Sequence, residues 1–351
     1  MCNSNTELYE FQKIYKEEIQ PELVKYEPRR QKELAIIILL GIILFAIVFY
    51  TYFISSFLFF VILIVVISSL VAYIQIRSKK FSNILKNEFY PTFFNSICDI
   101  KWRNSSEFKS SLISDNQIDN SKLFAAYDKR INDDEFKGRK NGVEYLISET
   151  KLLLEGKKKP NIAIPIFKGI IISFKSNKEI KNKTIVSTKG DLTSRNDRFI
   201  LLFIFLFLSI VDLWADPTDW RTILVCIVTL YLFYWIFTNP EKLNKVTLED
   251  TVFNKRFNVY SEDQVEARYL LTTSFMERLY NLKTTFGARK LKCSFFCDNL
   301  MIAIHTRKNL FEPGNLFHSL KDDKLSEKLF KDINSILHLV EYFKLDENTG
   351  L

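Results

Sequence analysis

Asp263, Glu266, Arg268 and Tyr269 form the densest polar constellation in the chain. Two carboxylates, a guanidinium and a phenol so close together can hold a ligand or a partner's side chain, which makes these four the candidate interaction site. The competing reading is structural. Asp263 shapes a turn after a strand, and Glu266 pairs with Arg268 where a helix begins. Structural ion pairs are the commoner case, so this reading is the stronger. An enzyme would draw on Asp263, Glu266 and His305.

Other chemistries fail on spacing. Cys293 and Cys297 on one strand are four residues apart, roughly 13 Å at ~3.3 Å per residue. Two ligands each ~2.3 Å from one zinc do not stand that far apart, and neither do disulfide partners. His305, His318 and His338 are not spaced as a metal pair, and no Cys-x-x-Cys is present. The nine glycines include no Gly-x-Gly and no Gly-Lys-Ser/Thr, and no Gly-x-Ser-x-Gly elbow occurs. No catalytic, cofactor-binding or metal residue is assigned, no cofactor is expected, and a non-enzyme is favoured.

The elements that must position these residues begin with a long apolar run. From Leu34 to Ile76 there is no charged residue. About 43 residues at 1.5 Å rise make a helix of roughly 65 Å, twice a bilayer core of ~30 Å. The run therefore folds back at the polar break Thr51–Ser56, giving a transmembrane hairpin over 34–76, Leu34–Phe53 and Phe57–Ile76. A second hairpin is expected over 199–238, from Phe199–Trp214 and Thr222–Thr238. Trp214 and Trp220 bracket its turn, and Tyr234 and Trp235 mark its other end. Asp212 lies near that turn, within reach of the headgroups.

Orientation follows from basic residues near the helix ends. Arg29, Arg30 and Lys32, then Arg77, Lys79 and Lys80, flank the first hairpin outside its turn. Arg195, Arg198, Lys242 and Lys245 flank the second. Both turns should face outward, with the N- and C-termini in the cytosol. The net charge of +8 suits the anionic cytoplasmic leaflet. Nucleic acid is not expected, because no clustered basic face accompanies it. Lys157, Lys158 and Lys159, near Lys175, Lys178, Lys181 and Lys183, form either a headgroup-facing surface or a solvated loop. Five cysteines, an odd number without framework spacing, suit reduced thiols. The first apolar run follows a long charged segment, unlike a secretory signal.

The remaining stretches are 1–33, a cytosolic helical segment; 77–198, a cytosolic helix and the first half of a domain; and 239–351, its second half with a C-terminal helix. Pro21 should stop a first helix over Thr6–Ile19. Ser78–Ile97 continues the second membrane helix into the cytosol, with Pro91 as a kink or break. Strands are expected at Val143–Ser148, Ile164–Lys175, Lys183–Ser187, Lys245–Glu249 and Arg256–Tyr260. Leu291–His305 reads as a β-hairpin turning at Asp298-Asn299. Ser274 and Glu277 suggest a capping box for a helix over Ser274–Leu282, and a last helix covers Asp323–Phe343. Strands with interleaved helices but no βαβ repeat indicate an α+β domain with a mixed or antiparallel sheet, beside an α-helical membrane part of two hairpins.

The stretch from Phe257 to Leu279, with Asp263, Glu266, Arg268, Tyr269, Thr272, Phe275, Met276, Glu277 and Arg278, resembles a bacterial membrane protein family known only as domain of unknown function 3137. Asp134-Glu-Phe136-Lys-Gly138, Phe167-Lys-Gly169, Thr184-Ile-Val186 and Val246-Thr-Leu-Glu249 look like further blocks of it. The resemblance covers most of Glu135–Leu351. Thr273 stands where the family usually has Pro, and the second hairpin replaces a shorter link. The resemblance implies a membrane-anchored bacterial protein, placed in the inner membrane, and implies no activity.

The expected function is a membrane-anchored cytosolic binding or adaptor protein that meets the lipid bilayer and either a protein partner or anionic headgroups. The alternatives are a membrane-surface enzyme or ligand sensor, and a small oligomeric channel or transporter relying on Asp212.

Overall fold

A computed structural model describes Lys13 and residues 15–54, 56–97, 100–104, 110–140, 142–156, 159–176, 179–191, 224, 227, 228, 230, 231, 243–306, 311, 312, 314 and 316–321. The expected second hairpin (199–238) and the helix over Asp323–Phe343 lie almost wholly outside these residues. The chain forms two compact units: 1–104 with 309–339, and 105–308 with 340–351.

The first unit opens with a π-helical turn, Tyr15–Ile19, and a short helix α1, Gln20–Val24. Pro21 sits in the first turn of α1, where its missing N–H has no intrahelical partner to lose, so it starts this helix. Two long helices follow, α2 (Glu27–Ile54) and α3 (Ser56–Ile97). They break at the expected polar stretch, and α3 carries the second apolar run on through Pro91 as one element. Both are long and apolar enough to cross a membrane. Large apolar side chains point outward along them, including Phe45, Phe57 and Ile64. An outward apolar surface of this extent is consistent with membrane association.

At the charged ends of these helices, Arg77 donates from Nε and Nη2 to the two oxygens of Glu33, at 3.0 and 2.8 Å. Beyond this pair the unit is held by buried polar ties to the chain that follows the last strand. Glu27 accepts from Arg30 and from the Leu320 amide (3.1 Å), and Arg30 donates to the Leu316 carbonyl at 2.8 Å. Lys86, almost wholly buried in α3, pairs with Glu312 at 2.9 Å, and the Tyr90 hydroxyl donates to the Phe311 carbonyl. A short strand, β1 (Ile100–Asn104), ends this part of the chain.

The second unit is an antiparallel sheet with helices. Its strands are β2 (Lys129–Lys140), β3 (Val143–Gly156), β4 (Lys159–Lys175), β5 (Thr184–Thr188), β6 (Asn244–Val246), β7 (Phe257–Ser261), β8 (Lys290–Phe296) and β9 (Asn299–His305). They run in the order β2-β3-β4-β9-β8-β5-β7-β6. The helices are α4 (Asp115–Ser121), α5 (Thr251–Arg256), α6 (Gln264–Leu270) and α7 (Thr273–Thr285).

Three local expectations shift by one to three residues. The β8–β9 turn is Cys297-Asp298, with φ of 46° and 56°, because Phe296 pairs with Asn299. Two consecutive left-handed residues suit the right-handed twist of a tight hairpin. Thr272, not Ser274, caps α7, its hydroxyl accepting from the Phe275 amide at 3.2 Å. The strand expected over Lys245–Glu249 stops at Val246, since Asp250 already caps α5 through the Val252 and Phe253 amides.

Both faces of the central strands are covered. On one face α7 presents Phe275 against Phe295, with ring centroids 5.3 Å apart. The other face lies under residues 110–128, whose Ile113, Ile118 and Leu123 join Leu152, Phe167 and Ala303 in one cluster. Lys292 and Ser294, which alternate with Leu291, Cys293 and Phe295 along β8, are both buried on this second face.

Gly169 marks a close approach in this sheet. A Cβ there would stand 2.0 Å from the Ile304 carbonyl oxygen, a backbone atom that moves only with β9. Gly169→Ala is expected to destabilise the chain by about 1–3 kcal/mol or more, as overpacking does. Chemical denaturation of the detergent-solubilised protein against wild type checks this.

Candidate functional site

A concentration of buried charge lies under residues 110–128. Lys292, in the middle of β8, is 8% exposed. Its ammonium meets Asp191 at 2.9 Å and donates to the Leu123 carbonyl at 2.9 Å. The Phe124 ring lies 5.8 Å from the same nitrogen. Burial pulls the Lys292 ammonium below the usual lysine range, while Asp191 pulls it back up. Lys290 approaches the other oxygen of Asp191 at 3.6 Å.

His305 completes this end of the sheet. It pairs with Lys290 across the β8–β9 ladder, and its ring lies 5.8 Å from Phe167, which in turn stacks edge-on with Phe124 at 4.9 Å. Partial burial and the neighbouring Lys290 and Arg289 hold the imidazole below its ordinary range. Gly169 fixes this arrangement, since its close approach to β9 sets His305 opposite it.

A second buried group holds the other end of the covering segment. β2 slips register between Asn132 and Glu135, and the bulge turns Glu135 inward. This carboxylate is fully buried. One oxygen accepts from the Ser111 hydroxyl, the Leu112 amide (3.2 Å) and Asn132 Nδ2 (3.1 Å). Arg130 donates to the Ile113 carbonyl at 2.7 Å, to Asp115 at 3.0 Å and to Asn132 at 2.8 Å. Several donors on one carboxylate satisfy a charge that burial would otherwise make costly.

The constellation singled out from sequence is placed differently. Asp263 caps α6, its Oδ1 accepting from the Val265 amide at 2.7 Å. Glu266 takes the Lys181 and Asn182 amides, one on each oxygen, both at 2.9 Å, so it ties down a loop rather than pairing with Arg268. Arg268 is exposed and Tyr269 half-buried on α6. Asp263 and Glu266 thus serve the backbone, and His305 belongs with Lys292 on β8–β9. Cys293 is buried inside β8, which raises its thiol above the ordinary range, and Cys297 is exposed in the turn.

A family described as protein of unknown function (DUF3137) matches residues 165–345, just over half of the sequence. The chain belongs to that family. The DUF3137 region contains the Asp263–Tyr269 stretch, Phe167–Gly169, Asp191, Lys292 and His305. The Asp134–Gly138 block and the covering segment precede it. No curated protein and no solved structure matches the chain. Asp191 and Lys292 escaped the sequence reading because nothing in their local pattern separates a buried lysine from a solvated one.

Removing one partner of a buried ion pair strands the other. Lys292→Met alone is expected to destabilise by about 3–5 kcal/mol, and the Asp191→Asn/Lys292→Met double variant by clearly less. Denaturant titration of the three proteins checks the order. His305 gives a pH signature. Its folded value lies below its unfolded value of about 6.5, so the unfolded chain binds more protons in that window. Stability should fall as pH drops below 6.5 towards the folded value, and His305→Gln should flatten that slope.

Proposed function

We propose that the chain is a membrane-anchored binding protein of the adaptor type, sitting in a bacterial inner membrane with its sheet domain and both termini in the cytosol. The observation that carries this reading is the outward apolar surface of α2 and α3. It ends at the Glu33–Arg77 pair, where the chain becomes charged. Basic residues on both sides of that boundary (Arg29, Arg30 and Lys32; Arg77, Lys79 and Lys80) favour the cytosolic placement of the sheet. The most conspicuous charged groups of the second unit hold main-chain atoms in place, which suits a presenting surface better than a reaction centre.

A ligand sensor or membrane-surface enzyme is the second reading, favoured by the half-buried His305 beside Lys290 and Lys292. Gentle extraction, cross-linking and mass spectrometry separate the two. A stoichiometric protein partner is expected; a preparation carrying only a bound small molecule would shift the reading to the sensor.

Topology has its own test. With Cys2, Cys98 and Cys226 replaced by Ser, a membrane-impermeant maleimide should label Ser55→Cys in intact cells. Exposed Cys297 should react only after permeabilisation. Labelling of Cys297 in intact cells would overturn the orientation.

A further inference from the structure

The segment 110–128 lies on the sheet in the manner of a bound peptide. Its ties to the buried charged side chains are largely main-chain: the Leu112 amide goes to Glu135, the Ile113 carbonyl to Arg130 and the Leu123 carbonyl to Lys292. Its apolar side chains Ile113, Ile118 and Leu123 fill the space between those ties. Peptide-recognition grooves divide the work the same way, with polar groups gripping the backbone and apolar pockets taking alternate side chains.

The floor beneath is unusually polar for a core. Ser148, Thr150, Lys292 and Ser294 are all buried there. The Ser294 hydroxyl makes no hydrogen bond among the described residues. The cover is also poor in regular structure: α4 has seven residues and a polar composition, and bends and irregular chain flank it. Short elements with few backbone bonds of their own open at lower free energy than a sheet does.

We propose that residues 110–128 are a strap that occupies, in cis, a peptide-binding groove formed by β2, β3, β4, β8 and β9, and that a protein partner's apolar segment takes the same groove in trans. The partner segment carries aliphatic side chains about five residues apart, as Ile113, Ile118 and Leu123 do, and offers main-chain atoms to Glu135, Arg130 and Lys292. This rests on the adaptor reading and names its partner class. A tethered strap competes at an effective concentration in the millimolar range, so the wild-type groove is largely closed to a free peptide.

Two measurements on the full chain in detergent test it. Hydrogen exchange of the wild type should show the 112–124 amides exchanging at least about tenfold faster than those of β8, β9 and α7. Exchange of the strap only together with the sheet would overturn the proposal, whatever the variants do. A fluorescent synthetic peptide covering 110–128 is then titrated onto wild type and onto the strap-weakened Ile113→Ala/Leu123→Ala chain. The weakened chain is expected to bind at least about tenfold tighter, and a peptide carrying Ile113→Asp and Leu123→Asp should lose that gain. Equal binding to both chains, or equal binding of the two peptides, would overturn it. If the weakened chain fails to fold, the wild-type exchange decides alone. A partner that co-purifies through another surface would leave the adaptor reading standing while the groove fails.

Discussion

A lysine buried in the middle of a sheet needs partners for its charge, and Lys292 is the point on which the second unit turns. Desolvating an ammonium is expensive unless an opposite charge and further acceptors are in place. Asp191 supplies the charge and the Leu123 carbonyl supplies an acceptor. The carbonyl comes from outside the sheet, so the lysine is satisfied only when residues 110–128 are seated. The sheet's charge and its cover are thereby made dependent on each other. Glu135 and Arg130 repeat the device at the opposite end, where a β-bulge turns a carboxylate inward to receive the Ser111 hydroxyl and the Leu112 amide.

The same constraint separates what the sequence discloses from what it conceals. The α2–α3 hairpin was legible because a charge-free run twice as long as a bilayer is thick permits one solution. The β8–β9 pair was legible because Leu291, Cys293 and Phe295 alternate with polar residues. The alternation separates the two faces and says nothing of their surroundings. Lys292 and Ser294 do face away from α7, yet that side is roofed. The roof itself leaves no periodic trace. Its apolar contacts fall at 113, 118 and 123, spread over loop, helix and loop, and α4 reads as Asp-Asn-Gln-Ile-Asp-Asn-Ser. β2, with its run of charges, hides for the same reason: its buried residues include Asp134 and Glu135 as well as Phe136.

The blocks that resemble the family acquire physical content once the fold is known. Gly138 sits opposite Tyr145, whose ring occupies the place of a Cβ, and Gly169 passes too close to the Ile304 carbonyl for any side chain. Asp263 and Glu266 stand where a helix begins and a loop must be tied down, so their oxygens are engaged by main-chain amides. Sequence spacing sets these four residues side by side and says nothing of which atoms they hold. That depends on the Lys181–Asn182 loop, some eighty residues away along the chain.

Connectivity gives the covered face a further meaning. The division between the two units falls after Asn104 and again after Lys308. The strap begins six residues beyond the first joint, and His305 ends three residues before the second. Past that second joint the chain is held by Tyr90 at the Phe311 carbonyl and by Lys86 through Glu312, both on α3. A partner that displaced the strap would take the Leu123 carbonyl from Lys292 and the Ile113 carbonyl from Arg130, so the incoming segment must bring an acceptor for each of these cations.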